Sequence, residues 1–209
     1  TRTGYTFSGW SAIPTNMPAH DVRVDGDFVP TTYTITYYLD NGNNHANNPT
    51  DYTIESNVIA LQNPSKTGYS FGGWYDNADF SGSSISVIAS GSTGDRDFYA
   101  KWNLITYNIT YDLDDGENHE DNPASYTIES ADIFLQDPNK TGYTFGGWYL
   151  TSDFAQPVST IEEGTYGSLT LYAKWTLISY TITYLLDGGN EVVSNDASYT
   201  IESGIITFN

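Results

Sequence analysis

The feature that most constrains this chain is that it repeats itself. The stretch "YTITYYLDNGNNHANNPTDYTIES" at Tyr33–Ser56 returns as "YNITYDLDDGENHEDNPASYTIES" at Tyr107–Ser130, and again as "YTITYLLDGGNEVVSNDASYTIES" at Tyr180–Ser203. The cluster "TGYTFSGW" at Thr3–Trp10 returns as "TGYSFGGW" at Thr67–Trp74 and "TGYTFGGW" at Thr141–Trp148, and "DFYAKW" (Asp97–Trp102) matches "TLYAKW" (Thr170–Trp175). Tyr33 and Tyr107 are 74 residues apart, and Tyr107 and Tyr180 are 73 apart. Self-similarity of this length is the signature of stacked supersecondary units, each one a small module.

Two complete copies follow, at about 31–102 and 103–175. Residues 1–30 read as the second half of a divergent copy, and 176–209 as the first half of a further one. A permuted frame of 1–63, 64–137 and 138–209 divides the same repeats into three units, and the sequence does not choose between the two frames. Met17 is the only Met and no basic, apolar leader follows Thr1, so the chain reads as an excerpt or processed product whose export signal lies elsewhere.

Within a copy the hydrophobic period is two. Tyr33, Ile35, Tyr37 and Leu39 fall on one face of an extended segment and Thr34, Thr36 and Tyr38 on the other; Tyr107, Ile109, Tyr111 and Leu113 repeat the pattern. "DNG", "DDG" and "DGG" then mark turns. A second extended stretch covers "YTIES" and the apolar run after it, and Pro64 and Pro138 stop it. "GYSFGGWY" supplies a third strand and "RDFYAKW" or "LTLYAKW" a fourth. Between them, Val158, Ile161 and Glu162 have the spacing of one helical turn laid on a sheet face. The linkers "NLIT" and "TLIS" lack the Gly/Ser/Pro make-up of a flexible tether, so adjacent modules are expected to be closely coupled.

A module of about 72 residues has little core to work with. Large aromatics answer that shortage, each burying roughly 150–250 Å². The candidate core is therefore Tyr69, Phe71, Trp74 and Trp102 in one complete copy, Tyr143, Phe145, Trp148 and Trp175 in the next, and Tyr5, Phe7 and Trp10 in the head half. Aromatics are 15% of the chain, 18 of them Tyr, which suits pleated, half-buried strands. The Gly-Gly pair before Trp74 suggests a bulge that redirects the indole. The competing reading of the clusters is a set of sugar-stacking platforms.

Charge narrows the partners. Seven Lys+Arg stand against 26 Asp+Glu, a net charge of −19. Nucleic acids and anionic membranes need a basic stripe, which this chain lacks, so neither is an expected partner. No apolar run is long enough for membrane insertion. Without Cys there is neither a disulfide framework nor a thiolate metal site. The loop "DLDDGENHED" offers Asp112, Asp114 and Asp115 as candidate calcium ligands, but the spacing is not that of a calcium-binding loop and the carboxylates thin out in the other copies. His45 and His119 sit at equivalent loop positions without ligand-spaced companions. Lys101 and Lys174 raise the question of a Lys–Asn isopeptide crosslink. No nucleophile–base pair or carboxylate pair recurs, so neither catalysis nor a cofactor is expected.

The ordered markers "YTITY", "YTIES", "KTGYTFGGWY" and "YAKW" resemble the Listeria–Bacteroides repeat, also called the internalin-type B repeat, over nearly the whole chain; Ser11–Pro30 is the divergent part. The resemblance implies a mainly β, tandem array of small β-grasp-like modules, each a mixed sheet with a short helix or helical turn. It also implies an exported, extracellular protein of the bacterial cell surface, with stalk, spacer or adhesion roles. The expected partners are neighbouring modules of the same or an adjacent chain, with a glycan or host surface protein as the alternative. The paired half-copies add a third option, a head-to-tail filament.

Overall fold

The computed structural model describes residues 1–12, 14–189 and 195–207, and divides into two compact units, Thr1–Leu104 and Ile105–Asn209. In the first unit the strands are β1 (Tyr5–Trp10), β2 (Gly26–Pro30), β3 (Tyr33–Tyr38), β4 (Asp51–Tyr52), β5 (Ile59–Ala60), β6 (Tyr69–Tyr75), β7 (Val87–Ile88) and β8 (Arg96–Leu104). β1 and β2 form an antiparallel hairpin of their own, β4-β3-β8-β6 form the main sheet, and β5 pairs with β7. β3 runs parallel to β8, with Ile35 opposite Arg96 and Tyr37 opposite Phe98, while the other pairs are antiparallel. A parallel pair needs a long crossover, which the chain between β3 and β8 supplies.

The second unit repeats this plan. Its strands are β9 (Tyr107–Asp112), β10 (Ser125–Tyr126), β11 (Ile133–Phe134), β12 (Tyr143–Tyr149), β13 (Pro157–Val158), β14 (Thr160–Ile161), β15 (Leu169–Leu177), β16 (Tyr180–Thr181) and β17 (Ser198–Tyr199). The main sheet has the order β10-β9-β15-β12-β13, β11 pairs with β14, and β16–β17 form a separate hairpin. β9 is parallel to β15. Each complete copy closes its own core, around Ile35, Tyr52, Trp74 and Phe98 in one and Ile109, Tyr126, Trp148 and Leu171 in the other.

One expectation is corrected. No described residue is helical, so the short helix expected of a β-grasp-like module is not found among them. The segment assigned a helical turn splits between two ladders instead. Pro157–Val158 pairs with Trp148–Tyr149, whereas Thr160–Ile161 crosses to Ile133–Phe134 and buries Ile161. The β-branched residues of "VSTI" favour extended backbone, and two different strand neighbours satisfy it.

The Gly-Trp segment does contain a bulge. Register shifts fall between Phe71 and Gly73, between Phe145 and Trp148, and between Phe7 and Gly9. The glycine just before each Trp takes the positive φ, 122° at Gly73, 110° at Gly147 and 144° at Gly9. The extra residue flips the parity, so Phe71 and Trp74 meet on the same side at 5.3 Å. Because the demanding position is the second of the pair, Ser8 replaces the first glycine in the head copy without disturbing the bulge.

Candidate functional site

Two of the Gly-Tyr dipeptides, Gly4-Tyr5 and Gly142-Tyr143, lie where one repeat meets the next, one such joint in each unit. In the first unit Tyr5 donates its phenol to Glu55 Oε1 at 2.8 Å; in the second Tyr143 donates to Glu202 Oε1. The glutamates are presented by a tight turn in "TIES". Ser56 N–H donates to the Thr53 carbonyl at 3.0 Å while Ser56 Oγ accepts from Thr53 N–H at 3.0 Å, and Thr200 and Ser203 repeat the exchange at 2.8 and 3.0 Å. The same turn aims an isoleucine at the preceding glycine. A Cβ on Gly4 would lie 2.6 Å from Ile54 Cδ1, and one on Gly142 would lie 2.6 Å from Ile201 Cγ2. With φ of 76° and 81°, both positions are left to glycine on two separate grounds. The strand leading out of the joint is tied back, since Thr31 N–H donates to Gly4 O and Ile178 N–H to Gly142 O, each at 2.9 Å.

Cations complete the joint. The Arg2 guanidinium lies 3.6 Å above the Tyr5 ring and the Lys140 ammonium 4.4 Å above the Tyr143 ring. The bond to Glu55 raises the Tyr5 pKa, against the opposing charge of Arg2, and the bond to Glu202 raises that of Tyr143. Both phenols are therefore protonated donors at neutral pH.

The other aromatics divide by environment. Trp74 and Trp148 are 1% and 3% exposed, and their indole N–H groups donate to the carbonyls of Gln62 and Gln136. Phe71, Phe145, Trp102 and Trp175 are half-buried against those cores, with Trp102 donating to Leu39 O at 2.9 Å and Trp175 to Leu113 O at 2.8 Å. Tyr5, Tyr69 and Tyr143 are half-buried. Phe7 and Trp10 depart from the core role expected of them, being 44% and 64% exposed. Among the described residues their sheet consists of β1 and β2.

Comparison with known proteins places these elements in a family. Residues 33–101 and 107–174 match the model of the Listeria-Bacteroides repeat domain. The chain belongs to the Listeria–Bacteroides repeat family. It is 24% identical over 209 residues, 95% of its length, to a protein of Evansella cellulosilytica named "Putative Gly-rich membrane protein". It is 30% identical over 136 residues, 61% of its length, to Internalin H of Listeria monocytogenes. The chain spans 23% of the length of each. No solved structure matches it.

Among the described residues of these Listeria–Bacteroides repeats, no group of three or more His, Asp or Glu is gathered to hold a metal. Asp114 and Asp115 are turn residues with φ of 47° and 64°, as Asp40 and Asn41 are at 45° and 64°. The Asp114 carboxylate is taken up by Lys140 at 2.8 Å, as Asp40 is by Lys66 at 2.9 Å, while Asp112 belongs to β9. The corresponding loop of the last copy lies partly at 190–194, outside the described residues. His45 and His119 each accept, through Nδ1, a backbone N–H two residues on at 3.2 Å. Lys101 and Lys174 stand 5.5 Å above the rings of Tyr75 and Tyr149. Arg23 pairs with Asp25, and Arg96 donates to the Tyr52 hydroxyl, so every one of the chain's seven cations is engaged internally.

Sequence reading missed two positions that the repeats depend on. Asn48 and Asn122 are buried, and each amide bridges two loops. Asn122 donates to Asn118 Oδ1 at 2.8 Å and Gln136 O at 2.9 Å, and accepts from Gln136 N–H at 2.8 Å; Asn48 makes the equivalent set. The signal that could have found them is the Asn-Pro shared at matching positions of both copies.

Proposed function

We propose that this chain is a non-catalytic spacer of an exported bacterial surface protein, which extends and presents other domains. The observation that carries the reading is the joint, built twice from the same parts: a glycine under an isoleucine, a Tyr–Glu bond and a backbone bond into the outgoing strand. A function based on reach needs each repeat held at a set angle to the next, and a joint of short, paired contacts resists rotation where a Gly/Ser tether would not. The kinship with Internalin H supports a surface location. The test is small-angle scattering of arrays carrying one to four complete repeats. A maximum dimension that rises in proportion to repeat number is expected; growth with its square root, as for a flexible string, would sink the reading.

A second reading, adhesion to a glycan by several weak contacts at once, draws on one recurring surface feature. Phe80 and Phe154, both partly exposed, meet Tyr75 and Tyr149 edge-on at 5.6 and 5.4 Å, beneath Lys101 and Lys174. A glycan array probed with the chain would separate the two roles: retention that is lost in Phe80→Ala and Phe154→Ala together favours adhesion.

A further inference from the structure

On the face turned away from its core, the sheet of the first complete repeat carries two tyrosines in an uncommon contact. Tyr38 ends β3 and Tyr99 lies opposite it on β8, and these two strands run parallel. Their rings are 4.3 Å apart between centroids and inclined by only 6°. Aromatic pairs ordinarily settle edge-on or offset, at about 4.5–7 Å, because the negative ring faces repel in a sandwich. The register imposes the sandwich here. Side chains opposite each other on parallel strands lean the same way along the strands, which lays the two rings head to head. The Tyr99 phenol responds to its neighbour, its pKa being raised by burial first and then by the phenol of Tyr38. With hydroxyl beside hydroxyl, the ring carbons next to each hydroxyl also overlie one another.

The other tyrosine pairs of the complete repeats are built differently. Tyr33–Tyr52 and Tyr107–Tyr126 are tilted by 43° and 46°, at 5.5 and 5.8 Å. Tyr52 and Tyr126 are also buried, and their hydroxyls are donated to Gly94 O and Gly167 O. Tyr75, the neighbour of Tyr99 on its other side, turns its ring edge-on to Phe80 at 5.6 Å instead. The second repeat keeps the register but not the pair, because Asp112 stands opposite Tyr172. It is the same scaffold with half of the site.

We propose that Tyr38 and Tyr99 form an oxidative crosslinking site, in which a peroxidase using hydrogen peroxide joins the two rings as a dityrosine. Each phenol gives up one electron and its hydroxyl proton, leaving a radical shared between the oxygen and the ring carbons beside it. One such carbon of each ring joins the other, and each then releases its hydrogen as a proton while the oxygen takes a proton back. One C–C bond forms, two C–H bonds break, and one peroxide is reduced to two waters. Tyr38 is 45% exposed, which gives the oxidant access and leaves room for the rings to swing as they bond. Half-buried Tyr99 is the partner already in place, so coupling within the chain outruns encounter with a second chain. The link ties β3 to β8 between residues 61 apart in sequence. Closing a loop of that length removes freedom from the unfolded chain, as a disulfide does in a chain that has cysteine. This inference is independent of the spacer reading.

The test treats the full 209-residue chain, kept dilute, with a haem peroxidase and hydrogen peroxide, and reads the intact mass and peptide map of the monomer. A loss of two hydrogens is expected, with dityrosine fluorescence and a linked peptide pair that contains Tyr38 and Tyr99. Tyr38→Phe and Tyr99→Phe should each abolish that linked pair; both keep the ring, and circular dichroism checks that the repeats stay folded. Asp112→Tyr should supply the missing half opposite Tyr172, giving a second link and a loss of four hydrogens. Monomer without the link, a link that survives Tyr38→Phe, a link mapped to other tyrosines in place of this pair, or a folded Asp112→Tyr chain that forms no second link would overturn the proposal.

Discussion

Trp148 donates its indole N–H to the carbonyl of Gln136 at 3.0 Å from the centre of its repeat's core. The bond is the end of a chain of dependencies, because Gln136 is itself held at both its N–H and its carbonyl by Asn122. Trp148→Ala removes a large buried side chain and should cost about 3–5 kcal/mol. Trp148→Phe keeps much of the volume but leaves the carbonyl with one donor fewer, and should cost less. Denaturant unfolding followed by fluorescence would rank them; a Phe variant as stable as the parent would mean that the hydrogen bond contributes nothing.

Asn122→Ala should destabilise the same repeat without opening a large cavity. It removes a buried amide and strips the part-buried Gln136 N–H of its acceptor, a loss of about 1 kcal/mol or somewhat more. Asn48→Ala should do the same to the first complete repeat through Gln62. Thermal unfolding of both variants checks the claim, and an unchanged midpoint would contradict it.

Alkaline pH should loosen the repeats within a definite window. Burial pushes the pKa of Tyr37 and of Tyr111 up to about 12, from an ordinary value of 10.0. An unfolded chain loses these protons near pH 10 while the folded chain keeps them. The stabilisation is thus complete below pH 10 and declines as pH climbs toward 12. Tyr5 and Tyr143, raised through their bonds to Glu55 and Glu202, contribute in the same direction. Tyrosinate absorbance and circular dichroism recorded together should show late-titrating phenols appearing with loss of structure, not before it.

Gly142→Val should open the second joint. The new side chain meets Ile201 and must adopt a φ of 81°, a conformation that costs roughly 1–2 kcal/mol for an L residue. The expected readout is faster hydrogen exchange at the Ile178 N–H, which donates to Gly142 O. Amides of the core strand β15 before the joint, such as Leu171, should exchange as before. Protection lost equally across the unit would point to global unfolding and against a discrete joint.

Much of the architecture was legible in one dimension. The period of two in Tyr33–Leu39, the turn signals after it and the repeated markers defined the strands and the repeat length, because pleat geometry and turn conformations are local. The bulge was legible in outline, since a positive φ beside a Trp asks for glycine there. The "VSTI" segment was not: spacing alone suits a helical turn, and only the two waiting strand edges at Trp148–Tyr149 and Ile133–Phe134 make it extended.

The same division holds for function. By itself the sequence determined that this is an acidic, cysteine-free set of β repeats with an aromatic cluster in each, because composition and self-similarity are properties of the chain. Only the tertiary structure decided what each copy of the cluster does. Trp74 and Trp148 are buried with the Tyr37 and Tyr111 rings packed 5.2 and 5.3 Å from them, on strands that run parallel to β8 and β15. Burial depends on a partner far away in sequence, which the local chemistry of the octapeptide does not specify.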